Sequence, residues 1–229
     1  MEKTQYFNFP IQLLQGAFSD ISKTMSDVMD YAGYAHTLKL EHGTDEKKMD
    51  AAGKHFGITF GDSRNGFRSG ERFYKSFGAN SPMTGINKDT CFDFYKNYKT
   101  QNEIAVLLSF LALKSIIGNK AYIKTSNEYL ITRMGGYVSK SDLPNPIPEP
   151  LRKFNTRRKI ERLKFELETN WEMNFYARNV RGFYVSNGNT SLDKLILEAE
   201  RNRKKYLNNK LKTKKEEALA KAYKQLELF

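Results

Sequence analysis

Cysteine is nearly absent. Cys91 is the only one in 229 residues, which excludes a disulfide scaffold and any zinc site built on cysteine pairs. Histidine is scarce as well: none of His36, His42 and His55 has a second histidine or a cysteine four residues on, so no metal is expected. Long apolar runs are missing. The longest nearly uncharged apolar stretch, Ile104 to Leu113, is about half of what a membrane span needs. The first residues, MEKTQYFNFPIQ, lack a basic segment followed by an apolar run and a small-residue cleavage site, so no secretory signal is expected and the expected compartment is the cytoplasm. No phosphate-binding fingerprint is present. The stretch GITFGDSRNGFRSG, residues 57–70, is glycine-rich but matches neither the Walker pattern nor the dinucleotide motif, and it reads as a surface loop. Cys91, between Thr90 and Phe92, reads as a small buried hydrophobe, and no nucleophile, base and orienting group stand at a useful spacing. The expectation is a non-enzymatic protein without a cofactor.

What is present is positive charge. Lys and Arg total 38 against 26 Asp and Glu, a formal net charge of +12. Residues 1–100 carry 13 basic and 12 acidic side chains, whereas residues 101–229 carry 25 and 14. The excess gathers in two segments. Leu151 to Arg181 has nine basic and four acidic residues, and Arg201 to Lys224 has ten and two. Such asymmetry between halves points to a polyanionic partner, of which nucleic acid, DNA or RNA, is the commonest. A solvated surface is the plainer alternative for any single lysine. The apolar share, 39% with 13% aromatic, is enough for a packed core.

The pattern divides the chain into a helical region (1–100), a second region (101–189) and a basic C-terminal helix (190–229). In the first, Met25, Val28, Met29, Ala32, Ala35 and Leu38 recur at helical spacing within Ser22–Leu40, and Gly57 closes a second helix from Asp45. Glu71–Phe77 and Asp89–Tyr98 read as further short helices, and no sustained alternation suggests strands there. In the second region Asn102 opens a helix that is apolar nearly all round. A short strand near Lys120–Lys124 follows, then a helix over Asn127–Met134 capped through Thr125 and Glu128. Four prolines, Pro144, Pro146, Pro148 and Pro150, make residues 137–153 an irregular linker. Asn155 or Thr156 then caps a helix to about Thr169, and NFYARNVRGFYVSN, residues 174–187, reads as a hairpin with a basic tip.

The order helix, short strand, short helix, basic helix, basic-tipped hairpin resembles the winged helix-turn-helix module, most closely over RRKIERLKFELETNWEMNFYARNVRGFYVS, residues 157–186. That resemblance implies a mainly α fold with a small β-hairpin, in which residues 155–169 form a recognition helix for the major groove and Arg178 and Arg181 sit on the wing. The opening FNFPIQLLQGAF, with DYAGYAHTLKLE further on, resembles uncharacterised phage and prophage proteins of Bacteroidota. It implies an origin in a mobile element.

The candidate nucleic-acid contacts are Thr156, Arg157, Arg158, Lys159 and Arg162 at the start of the basic helix, where side chains reach base edges and the helix terminus favours phosphate. Arg178 and Arg181 on the wing join them, with Arg201, Arg203, Lys204, Lys205, Lys212 and Lys214 on the terminal helix. A second reading is an anti-CRISPR or other anti-defence inhibitor that binds a host RNA-guided nuclease complex or its guide RNA. A third is dimerisation through the terminal helix. No membrane partner is expected.

Overall fold

The computed structural model describes residues 5–60, 62–77, 81–177 and 182–226, with side chains to residue 220. The described chain begins with an antiparallel ribbon, β1 (Tyr6–Pro10) against β2 (Met83–Asn87). This ribbon corrects the expectation of a first region without strands. Its alternation is real but only a few residues long: Phe7 and Phe9 are fully buried, while Tyr6 and Asn8 face outward. A 3-10 turn, Ile11–Leu14, leads into helix α1 (Ile21–Thr37), whose first turn is closed by the Asp20 carboxylate accepting from the Lys23 amide at 2.8 Å. Helix α2 (Asp45–Phe56) ends as expected on Gly57 in the left-handed conformation.

Residues 57–70 are not a single loop. Helix α3 (Ser63–Ser76) begins inside them, capped by Asp62. Two of the glycines in this stretch let helices approach instead of forming a loop. A Cβ on Gly70 would collide with the backbone oxygen of Asp30, and one on Gly66 would lie 3.0 Å from the Asp30 carboxylate. Glycine is costly inside a helix, and here close packing of α3 on α1 is what it supplies.

Helix α4 (Lys88–Lys96) precedes α5 (Gln101–Ile117), the centre of the core. Leu107, Leu108, Leu111 and Leu113 are fully buried there, each contributing roughly 1.5–3 kcal/mol. The cap is Thr100, not Asn102: Thr100 and Glu103 form a reciprocal capping box. Lys114 on α5 donates to the Gly85 oxygen at 2.8 Å, lies against the Tyr6 ring, and is held below the usual lysine range by burial.

The second half follows with β3 (Tyr122–Thr125), α6 (Asn127–Met134), α7 (Glu149–Phe154), α8 (Arg157–Asn170), β4 (Met173–Tyr176), β5 (Phe183–Asn187) and α9 (Leu192–Leu226). The cap of α6 is Ser126 rather than Thr125. The proline linker is only partly irregular. It holds a 3-10 turn at Lys140–Asp142 and then α7, which carries Pro150 in its first turn, where a missing amide hydrogen costs nothing. Strands β3, β5 and β4 form one antiparallel sheet in that order, with Ile123 opposite Val185 and Phe175 opposite Val185. The molecule is thus mainly helical with two small antiparallel sheets. One cluster of buried side chains runs from Phe7 to Val185, with α5 among its members. Among the described residues no helix is long and apolar enough to cross a membrane.

Candidate nucleic-acid interface

Helix α8 is braced along one side. Ile160, Leu163 and Leu167 are buried in the core, and Lys164 is buried beside them. The Lys164 ammonium lies 4.0 Å from the centre of the Phe183 ring and 2.9 Å from the Glu161 carboxylate. The N-terminus is capped by Thr156, whose hydroxyl accepts from the Lys159 amide at 3.4 Å. The preceding α7 is anchored by Leu151 and Phe154, and Phe154 stacks on Phe18 at 5.7 Å. The linker before α8 therefore fixes the helix start to the core.

Thr156, Arg157, Arg158, Lys159 and Arg162 are all exposed. Among the described residues none of those four cations enters an ion pair. The positive charge is confined to the first two turns, because Glu166 and Glu168 occupy the second half of α8. Burial raises the Glu168 carboxyl above its ordinary range. A polyanion would meet the helix at its N-terminal end, where the dipole also favours it. Arg178 and Arg181 lie outside the described residues.

Next to this end is a groove of about 640 Å³, lined by Asn127, Asn155, Thr156, Arg157, Ala177 and Gly182 among others. It places the start of α8 and the start of α6 beside the hairpin close to its tip. The sequence alone does not mark Asn127 and Lys164; the packing of the hairpin beside the starts of α6 and α8 brings them into the groove.

The terminal helix is built differently. Its first turns cross the outer face of the sheet. Leu195 and Ala199 are buried, Tyr122 donates to Glu198 at 3.4 Å, and Tyr176 donates to Glu200 at 2.6 Å. Tyr122 and Tyr176 belong to the face opposite Ile123, Phe175 and Val185, as alternation along the strands requires. Helices α8 and α9 therefore lie on opposite faces of the sheet, and their cations do not form one patch on a shared face. Both helices reach the same end of the sheet. Glu200 reaches Tyr176 at the end of β4, and Arg157 lines the groove beside Ala177 and Gly182.

Two terminal cations have acid partners: Arg203 with Glu200 at 2.8 Å and Arg201 with Glu198 at 3.9 Å. Lys204, Lys205, Lys212 and Lys214 have no ion pair among the described residues. From residue 204 to residue 220 every side chain is exposed. At about 100° per residue, Arg201, Lys204, Lys205 and Lys212 share one side of the helix, while Arg203 and Lys214 lie on the other.

No group of three or more His, Cys, Asp and Glu able to hold a metal occurs among the described residues. Cys91 is fully buried, and burial pushes its thiol up to about 12. Comparison with protein-family models, with curated proteins and with solved structures finds no match to this chain.

Proposed function

We propose that the protein binds nucleic acid, with duplex DNA taken by a winged helix-turn-helix-like module over residues 101–189 and with α9 adding phosphate contacts. The observation that carries this reading is the capped, core-braced N-terminus of α8, bearing exposed Arg157, Arg158, Lys159 and Arg162 with no ion pair among the described residues. Arginines on a braced helix present a bidentate fork that matches guanine edges and phosphate. The sheet order β3-β5-β4, with α6 and α8 between its first two strands in sequence, supports the winged reading. So does the groove between α8 and the hairpin. The exposed lysines of α9 leave the body at the hairpin-tip end and would track a backbone running past it. On what the sequence resemblance of residues 7–41 implies, the role proposed is control of transcription or the start of replication of a mobile element.

The test is duplex-DNA binding by fluorescence anisotropy across a salt series. The logarithm of the affinity should fall linearly with the logarithm of salt concentration. Arg158→Glu should weaken binding at least tenfold and reduce the preference among sequences. Retention of structured RNA or protein alone, with no affinity for any duplex, would overturn the reading.

A further inference from the structure

A second cavity, about 320 Å³, lies on the flank of α8 away from the hairpin, between that helix and the start of α5. Its apolar walls are Phe94, Phe154 and Trp171, the only tryptophan, which packs on Phe110 at 4.5 Å between ring centres. Its polar lining is balanced in charge, three acids against three cations, but their partners differ. Asp93 accepts from Lys99 at 2.5 Å and from Asn97 at 2.7 Å. Glu103 is held by the Thr100 hydroxyl and backbone amide, and Glu166 accepts from Asn170 at 3.1 Å. Lys159 and Arg162 line the same cavity and have no ion pair among the described residues. Glu103 and Glu166 keep their charge, because their donors are uncharged; what sets Lys159 and Arg162 apart is that neither has an acid at ion-pair distance among the described residues, and both stand beside aromatic walls and the Asn102 amide.

We infer that this cavity binds a nucleotide: its phosphate on Lys159 and Arg162, its base against the Trp171 side of the pocket. The volume is at the lower end of small-ligand pockets, which suits a single nucleotide. Phosphate takes charge-assisted hydrogen bonds from both cations, and the flat base fills an apolar slot without needing a charged partner. The inference does not rest on duplex binding. It makes a demand on it, because a nucleotide in the cavity occupies two cations that the proposed interface also uses.

The experiment is titration of the full chain with nucleoside monophosphates, read by Trp171 fluorescence and, independently, by equilibrium dialysis of labelled nucleotide. Inorganic phosphate and the free nucleoside are run alongside. Saturable binding by the monophosphate, at least tenfold weaker for phosphate and for nucleoside, is the expected result. Arg162→Gln should weaken it at least tenfold and Arg201→Gln should not, with unchanged circular dichroism showing that both variants fold. A short single-stranded oligonucleotide that binds tenfold tighter than the monophosphate identifies the ligand as a base within a strand; equal affinity identifies a free nucleotide. Absence of saturable dialysis binding overturns the inference, as does a response to inorganic phosphate equal to that of the nucleotide. Neither outcome touches the duplex-binding test, which is measured without nucleotide.

Discussion

Helices α8 and α9 are both rich in Lys and Arg, yet they hold their charge in different ways. Every turn of α8 has a buried anchor, Ile160, Leu163, Lys164 or Leu167, so its exposed arginines project from a fixed frame. The described side chains of α9 beyond Arg203 have no anchor: Tyr206, Leu207, Leu211 and Leu219 are as exposed as the lysines between them. The same charge can therefore serve two purposes. A cation on a braced helix can discriminate between base edges, because the backbone that carries it loses little entropy on binding. A cation on an unbraced arm adds mainly sequence-independent attraction.

The sharpest way to break this comparison is to remove an anchor. Leu163→Ala should destabilise the fold by about 2–5 kcal/mol, because Leu163 is nearly fully buried beneath α8. Leu211→Ala, at 58% exposure, should change stability by no more than about 0.5 kcal/mol. Denaturant unfolding of the two variants measures both. Equal losses would mean that α9 packs against something, such as a second copy of the chain.

A smaller effect separates the two sets of cations in binding. Ending the chain after Arg203 removes the exposed lysines and should lower the salt slope by roughly 0.9 for each phosphate that is no longer neutralised. It should leave the ranking of DNA sequences unchanged. Arg158→Ala should do the reverse, narrowing the gap between the best and worst sequences while altering the salt slope by only about one. A competition assay over several duplexes at two salt concentrations distinguishes them.

How much of this is legible in the sequence follows from the range of each interaction. Many local signals read well: the Gly57 stop, the all-round apolar α5, the alternation of Phe175, Phe183 and Val185, and a cap at Asn155 or Thr156 all rest on neighbours in sequence, whereas the caps of α5 and α6 fall one or two residues from their expected places. Signals that depend on another element read badly. Gly66 and Gly70 look like loop formers because the approach of α1 that explains them lies over thirty residues away. The β1–β2 ribbon pairs Phe7 with Ile86, a separation that periodicity cannot see. Among the site residues, exposure of Arg157, Arg158, Lys159 and Arg162 is legible from the helical spacing of Ile160, Leu163 and Leu167. That α9 lies on the other side of the sheet is not, since it depends on which face of β3 and β4 the tyrosines take.

The N-terminal helices carry two pH dependences of opposite sign. Burial, reinforced by Asp27, pushes the Asp30 carboxyl up to about 7. The folded state thus holds a proton that the unfolded chain releases near pH 4, so stability falls as pH rises from about 4 through about 7. His36 acts with the opposite sign. Burial, then the stacked His55 at 4.1 Å, lowers its pKa, so the unfolded state binds the proton more readily and stability rises with pH up to the ordinary histidine range. Denaturant midpoints between pH 4 and pH 8 should show a steeper rise with pH in Asp30→Asn and a steeper fall in His36→Gln. Parallel profiles for the two variants would contradict both assignments.

The smallest effect is a rate and not an energy, and it returns to the contrast between a braced and an unbraced position. Cys91 is fully buried, with its sulfur 3.9 Å from the Met25 backbone oxygen. A thiol pushed up to about 12 is ionised in only about one molecule in ten thousand at pH 8, and the thiolate is the reactive form. Reaction with a disulfide reagent should therefore wait for opening of the core, and its rate should rise with denaturant as global unfolding does. A cysteine placed on the arm by Lys212→Cys, in a Cys91→Ala background, should react at the speed of a free thiol in native buffer, since every described side chain around it is exposed. Rapid labelling of Cys91 without denaturant would show instead that α4 opens locally from α1, and that this part of the core is less firmly held than the anchors beneath α8.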